Sequence, residues 1–206
     1  MKRAKAPSLS LEAANDREAA RRQIAENRAA ARALFAGLDD ARLLRRPAPN
    51  AWSAAECLLH LNRSGTIYLG AIDRGIAEGR RRGLESDGPY RHPWFSRWFV
   101  ASLEPGRGRY PAPRMFVPPE PSRPPSEVLA GFEALGRAAD ERIEASRGLD
   151  LGRVRVVSPV SPLVRISLGM AFALLTAHER RHLDQARRAA GASAPAAAGG
   201  PDFPRG

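Results

Sequence analysis

The sequence predicts an all-α protein in which four helices share one core, with a long irregular connector between the second and the third. Apolar residues recur every three or four positions in four separate stretches, the spacing that lines one face of a helix. Those stretches are bounded by proline, glycine or capping residues. The short β-rich piece VRVV at 154–157 supplies too few strands for a competing sheet fold. Four apolar faces in one small chain can satisfy one another by packing as a bundle.

The first helix is read within residues 12–44, an alanine-rich segment where Ile24, Ala31, Leu34, Leu38 and Leu44 recur among charges. Pro47 and Pro49 end it, and residues 1–11 ahead of it are expected to form a flexible basic tail. The second helix has a well-specified start: Ser53 and Glu56 can form a capping box, with Trp52 and Cys57 placed for a hydrophobic staple. Leu58, Leu59, Leu61, Ile67, Tyr68 and Ile72 carry its apolar character to about residue 77, before GRRRGLESDG breaks it.

Residues 80–124 are too long for a simple link, and such excursions often cover a site or make an interface. Within them HPWFSRWF predicts a short helix with Trp94, Phe95, Trp98 and Phe99 on one side. These aromatics suit a satellite core cluster, and alternatively a pocket wall, which makes Trp94 and Trp98 candidate pocket residues. Pro124 and Pro125 introduce the third helix, which runs through Val128, Leu129, Phe132, Leu135 and Ile143 to Gly148. The fourth is read from about Leu163 through Ile166, Met170, Leu174 and Leu175 to Arg188. One domain over 12–190 is thus expected, followed by a disordered tail at 191–206 that has little to bury.

The chain has 206 residues, 43% of them hydrophobic, enough for one substantial core. No apolar run approaches the roughly 20 residues that span a bilayer, and the first residues lack the apolar segment of a secretion signal. A soluble cytoplasmic protein is the expectation. The lone Cys57 excludes an internal disulfide framework, a cysteine-rich zinc site and a CxxC redox centre. Any metal must be held mainly by nitrogen and oxygen.

The net charge of +11 invites a nucleic-acid partner. Its distribution weakens that reading, because residues 80–125 hold nine arginines against four acids while His178–Arg188 has four arginines against Glu179 and Asp184. No zinc-finger spacing, Walker A motif or dinucleotide fingerprint supports a specific module. Basic nucleic-acid binding is kept as a rival class.

His60 ends the run WSAAECLLH, and His178 and His182 stand one helical turn apart in HERRHLDQ. Two imidazoles at that spacing, with a third from a facing helix, make a facial set of nitrogen ligands for a divalent ion. A neutral histidine buried without partners loses its hydrogen bonds to water, so three facing one core need a reason. Metal coordination is one reason; hydrogen bonding to backbone or acids is another. Glu56 is explained by capping and is also a candidate to orient a ligand or water. Gln185, three residues after His182, and Tyr68, two turns beyond His60, are further pocket candidates beside ordinary packing roles. Cys57 reads as a packing residue, His92 as local polarity in the connector, and Glu179 and Asp184 as surface charges paired with nearby arginines.

WSAAECLLHL at 52–61 and LLTAHERRHLDQARR at 174–188 resemble the two signature segments of the DinB-like superfamily, also called DinB/YfiT-like metalloproteins. His60 matches the family's metal-binding histidine of the second helix, and His178 and His182 match its paired histidines of the last helix. Trp52, Ser53 and Glu56 agree with the W-S-x-x-E-x-x-x-H opening, and Gln185 with the H-x-x-x-H-x-x-Q ending. The arginine-rich connector departs from the shortest members.

The resemblance implies an up-up-down-down four-helix bundle, commonly a homodimer, with a divalent metal such as zinc or nickel at one end. It also implies chemistry: characterised relatives include metal-dependent transferases and isomerases that use low-molecular-weight thiols, notably bacillithiol or mycothiol. Three protein ligands leave room for a thiol or a water, so a thiol transferase and a hydrolase share the same site. A purely structural metalloprotein, with every position filled, is the non-catalytic alternative.

Overall fold

The computed structural model describes residues 17–86, 90, 98, 100–102, 114–118 and 123–191, and among them the main elements are four long helices, one short helix and a small hairpin. We label the helices α1 (Arg17–Ala36), α2 (Asp40–Leu44), α3 (Ala54–Arg81), α4 (Pro125–Ala145) and α5 (Leu168–Ala189), and the strands β1 (Arg155–Val157) and β2 (Arg165–Ser167). The molecule is mostly helical. Among the described residues, no helix is long and apolar enough to cross a membrane.

The segment expected as one helix over 12–44 is two. Gly37 ends α1, and Asp39 starts α2 by accepting a hydrogen bond from the Arg42 amide at 2.7 Å. Both are local signals: glycine disfavours helix and aspartate is a strong N-cap. The buried face of α1 follows the predicted spacing through Ala20, Ile24, Ala31 and Leu34.

At the start of α3 the capping box forms as expected: Ser53 Oγ accepts from the Glu56 amide at 3.2 Å, and Glu56 Oε2 accepts from the Ser53 amide at 2.8 Å. The helix continues past the expected end near 77 to Arg81, where Gly83 takes a φ of 60° that an L side chain rarely adopts. Helix α4 starts at Pro125, as the proline pair predicts, and Gly148 lies just beyond its end with φ 76°.

The fourth helix starts later than expected. Residues 163–167 do not begin it; β2 pairs antiparallel with β1, matching Val156 with Ile166, and Ser167 caps α5 by accepting from the Met170 amide. Pro159 and Pro162 deny the segment a helix, and the β-branched residues around them suit a pleated pair. The hairpin lies over α3 at Gly75, where a Cβ would come within 2.9 Å of Val156 Cγ2 and 3.1 Å of the Arg155 carbonyl oxygen.

The long helices close a ring in which α3 and α1 each pack on both α4 and α5. Their directions follow from which residues meet. Arg17 reaches Ser146, Arg21 reaches Asp140 and Arg28 reaches Glu133, so α1 and α4 run antiparallel. Asn62 meets Val128 and Asp73 meets Arg142, so α3 and α4 run parallel. Asn27 in the middle of α1 meets Glu179, and Arg42 of α2, which follows the C-terminal end of α1, meets Ala190 at the C-terminal end of α5, so α1 and α5 run parallel. The order along the chain is up, down, down, up, not the expected up-up-down-down. A pair of crossovers would be needed for the latter. Only residues 82–124 return the chain to the opposite end; the links after α1 and α4 join neighbouring ends.

Candidate metal centre

His60 sits in the second turn of α3, and the capping box just before it fixes where that turn begins. His178 and His182 project from successive turns of α5. Where α3 and α5 cross, the three imidazoles each offer a nitrogen within 4.8 Å of the others, the ligand set expected from spacing. Ring centroids are 4.4 Å apart for His60 and His182, 4.6 Å for His178 and His182, and 5.0 Å for His60 and His178.

Hydrogen bonding settles one tautomer. His60 Nδ1 lies 2.7 Å from the Phe116 carbonyl oxygen, which can only accept, so Nδ1 carries the proton and Nε2 of the neutral ring presents a lone pair. That Nε2 is 3.1 Å from His178 Nε2. His182 Nδ1 is buried and has no hydrogen-bond partner, while the Gln185 side chain bonds to the same imidazole. An orphaned buried nitrogen is costly unless something outside the protein completes it. Nitrogen donors held in this way fit a divalent cation.

The cluster is held neutral. Burial is the main cause: it lowers the His60 pKa, takes His178 down to about 3 and takes His182 down to about 2, with neighbouring imidazoles and Arg181 adding to the last two. Neutral imidazole is the form that binds metal.

The other candidates divide. Gln185 touches the triad through His182. Glu56 does not serve as a ligand here: it is 2% exposed, its carboxylate receives Arg46 Nε at 2.9 Å and Arg46 Nη2 besides the Ser53 amide. Burial works to raise its pKa, but those bonds outweigh burial and hold it below the usual carboxylate value. Tyr68 packs against the hydrophobic core, where burial pushes its phenol up to about 12. Cys57 is fully buried, and burial raises its thiol to about 12, which makes it a packing group. Trp98 leaves 62% of its surface in solvent, a poor fit to a pocket wall. Trp94 and His92 lie outside the described residues.

Asp184 pairs with Arg188 at the surface as expected. Glu179 does not. It is 1% exposed and accepts a 2.8 Å hydrogen bond from Asn27 Nδ2, because α1 packs on the face of α5 that isolated helix geometry leaves open. Burial raises its pKa to about 7.

Sequence reasoning missed two neighbours of the triad. Trp52 places its ring 4.9 Å from His60 and 5.9 Å from His182, so it walls the site besides preceding the cap. Its position just outside the helix, where a staple residue folds back, was the available signal. Phe116 contributes its carbonyl and an edge-on ring 6.4 Å from His60. A carbonyl carries no residue signature, so nothing in the connector pointed to it.

A family model described as the DinB superfamily matches residues 23–186, which include all three histidines. No curated protein and no solved structure matches the chain.

Proposed function

The chain belongs to the DinB superfamily, and on that premise we propose that it binds a divalent metal through His60, His178 and His182 and acts as a metal-dependent transferase on a low-molecular-weight thiol. The observation that carries this reading is the convergence of three neutral imidazoles around a buried, unpartnered His182 nitrogen. Imidazole donors favour zinc or nickel over the oxygen-seeking ions. Three protein ligands among the described residues, rather than four, are the pattern of sites that keep a position for an exchangeable group.

When bound, the ion supplies positive charge that eases loss of a proton from a thiol or a water near neutral pH. The protein's own groups do the rest. Phe116 holds His60 in the tautomer whose Nε2 lone pair faces His178. Gln185 steadies the His182 ring. Trp52 sets an aromatic face beside two of the ligands. Glu56 is engaged by Arg46 and Ser53 and is not free to take a proton. A thiol, with an intrinsic pKa of about 8.5, needs less help from a base than water does, which favours thiol transfer over hydrolysis.

We read the helical ring as a four-helix bundle with one crossover, assembled as a homodimer in the cytoplasm; mass measurement in solution tests the dimer. Elemental analysis of the purified chain tests the centre, with about one zinc or nickel per chain expected. The reaction is tested by assaying the loaded and chelated protein with bacillithiol, mycothiol, glutathione and cysteine against a panel of electrophiles. Thiol consumption that disappears on chelation supports the transferase. Full metal occupancy with metal-dependent ester or amide cleavage and no thiol transfer would establish the hydrolase instead.

A further inference from the structure

The hairpin between α4 and α5 turns apolar residues outward. Residues of a strand alternate between faces, and Val156 takes the inward one, buried against Gly75 of α3. What remains at the far end meets water: Val157 is 40% exposed, Val160 52%, Val164 48% and Leu163 91%. A single exposed aliphatic residue is ordinary, but four within 157–164 at one hairpin end form a patch that calls for a partner.

Charge along the hairpin has one sign. Residues 151–167 contain Arg153, Arg155 and Arg165, all exposed, and no acid. Among the described residues none of the three forms an ion pair, whereas on the helices Arg21 pairs with Asp140, Arg28 with Glu133 and Arg142 with Asp73. Asp150, the next acid along the chain, turns its Oδ1 to the amides of Gly152 and Arg153.

We infer that this hairpin docks on an anionic phospholipid bilayer, its tip from Val160 to Val164 entering the acyl boundary while Arg153, Arg155 and Arg165 face the headgroups. Aliphatic side chains gain from an acyl layer, which nucleic acid does not offer. Unpaired guanidinium groups gain from acidic headgroups. A second copy seated tip to tip would bring the same arginines together without an acid between them. Addition of a peptide strand is disfavoured too, since each strand of the hairpin is only three residues long and offers a short edge for pairing.

The test mixes the full chain with vesicles of phosphatidylcholine alone and of phosphatidylcholine with phosphatidylserine, and reads the bound fraction by sedimentation at low and high salt. The unaltered protein is expected on the acidic vesicles and to leave them as salt rises. Val160→Asp with Leu163→Asp should weaken that binding by about tenfold or more. Arg153→Gln, Arg155→Gln and Arg165→Gln together should weaken it by about a hundredfold, near fivefold per charge. Both variants alter exposed side chains, so helical content and metal stoichiometry should stay as in the unaltered chain, which separates lost docking from lost fold.

Equal binding by the aspartate variant and the unaltered chain would overturn the proposal and assign the attraction to other basic segments. A smaller solution mass for the tip variant without vesicles would overturn it in favour of a contact between copies. Tighter retention on DNA or RNA than on acidic vesicles would assign the arginines to nucleic acid.

Discussion

Glu56 and His60 stand one turn apart on α3, both buried and both polar, yet their surroundings are opposite. The Glu56 carboxylate is completed from within the protein by Arg46 and the Ser53 amide. The imidazole cluster around His60 is not: His182 Nδ1 has no partner, and His60 Nε2 faces another imidazole. A buried polar group that the fold completes is a structural device. An unpartnered nitrogen that the fold sets beside two further imidazoles marks where a cation belongs. The two clusters, a single turn apart, separate the part of α3 that holds the helix in place from the part that can do chemistry.

The sharpest way to break this contrast is to remove a ligand. His178→Ala should lower zinc or nickel affinity by more than about a hundredfold, beyond the loss that outer partners of a site usually cause, as measured by chelator competition. Unchanged affinity would place the ion elsewhere. Because the change takes away the 3.1 Å partner of His60 Nε2 and leaves a cavity, the metal-free variant should also be less stable than the metal-free parent, so affinity is compared on folded protein.

Glu56→Ala should act in the other way. Losing the capping box and the contact with the half-exposed Arg46 is expected to cost about 1–2 kcal/mol in urea unfolding, with metal affinity changed little at saturating fold. A large loss of metal affinity in the folded variant would show that the two clusters are one.

Acid should expose the difference without mutation. The folded imidazoles stay neutral far below the ordinary histidine value, to about 3 for His178 and about 2 for His182, whereas unfolded histidines protonate near 6.5. Below about 6.5 the unfolded chain therefore binds more protons, and the stability of the metal-free protein should fall as pH drops. Glu179 works against this: its pKa, raised to about 7, favours the folded state below the ordinary glutamate value and loses that contribution as pH rises. His178 and His182 against one glutamate, with His60 shifted in the same direction, leave the net slope positive between about 4.5 and 6.5. Unfolding midpoints across that range check the sign, and His178→Ala should flatten the curve.

The smallest effect belongs to Gln185. Gln185→Ala should weaken metal binding about tenfold while leaving the unfolding midpoint of the metal-free protein in place, since it steadies a ligand ring more than it packs the core.

Local signals in the chain gave a reliable account of the helices they start. Ser53 with Glu56 formed its capping box and Pro125 opened α4. Gly37 and Asp39 carried an equally local message, hidden beneath the alanine-rich periodicity on either side. The hairpin was obscured for a related reason, because Ile166 and Met170 fit a helical spacing even though Pro159 and Pro162 forbid the turns before them. Glu179 was misread because its burial depends on α1, which no property of α5 reveals.

By itself the sequence determined which groups could form the centre: a helical spacing sets His178 above His182, and a capped start fixes His60 in the second turn of α3. Those are consequences of a 3.6-residue repeat and of hydrogen bonds spanning a few residues. Only the tertiary structure decided the up-down-down-up course, the Phe116 carbonyl that selects the His60 tautomer, the Trp52 wall and the burial of Glu179. Each arises where segments distant in the chain meet, and contacts of that kind are set by the packing of whole helices rather than by any residue's neighbours in sequence.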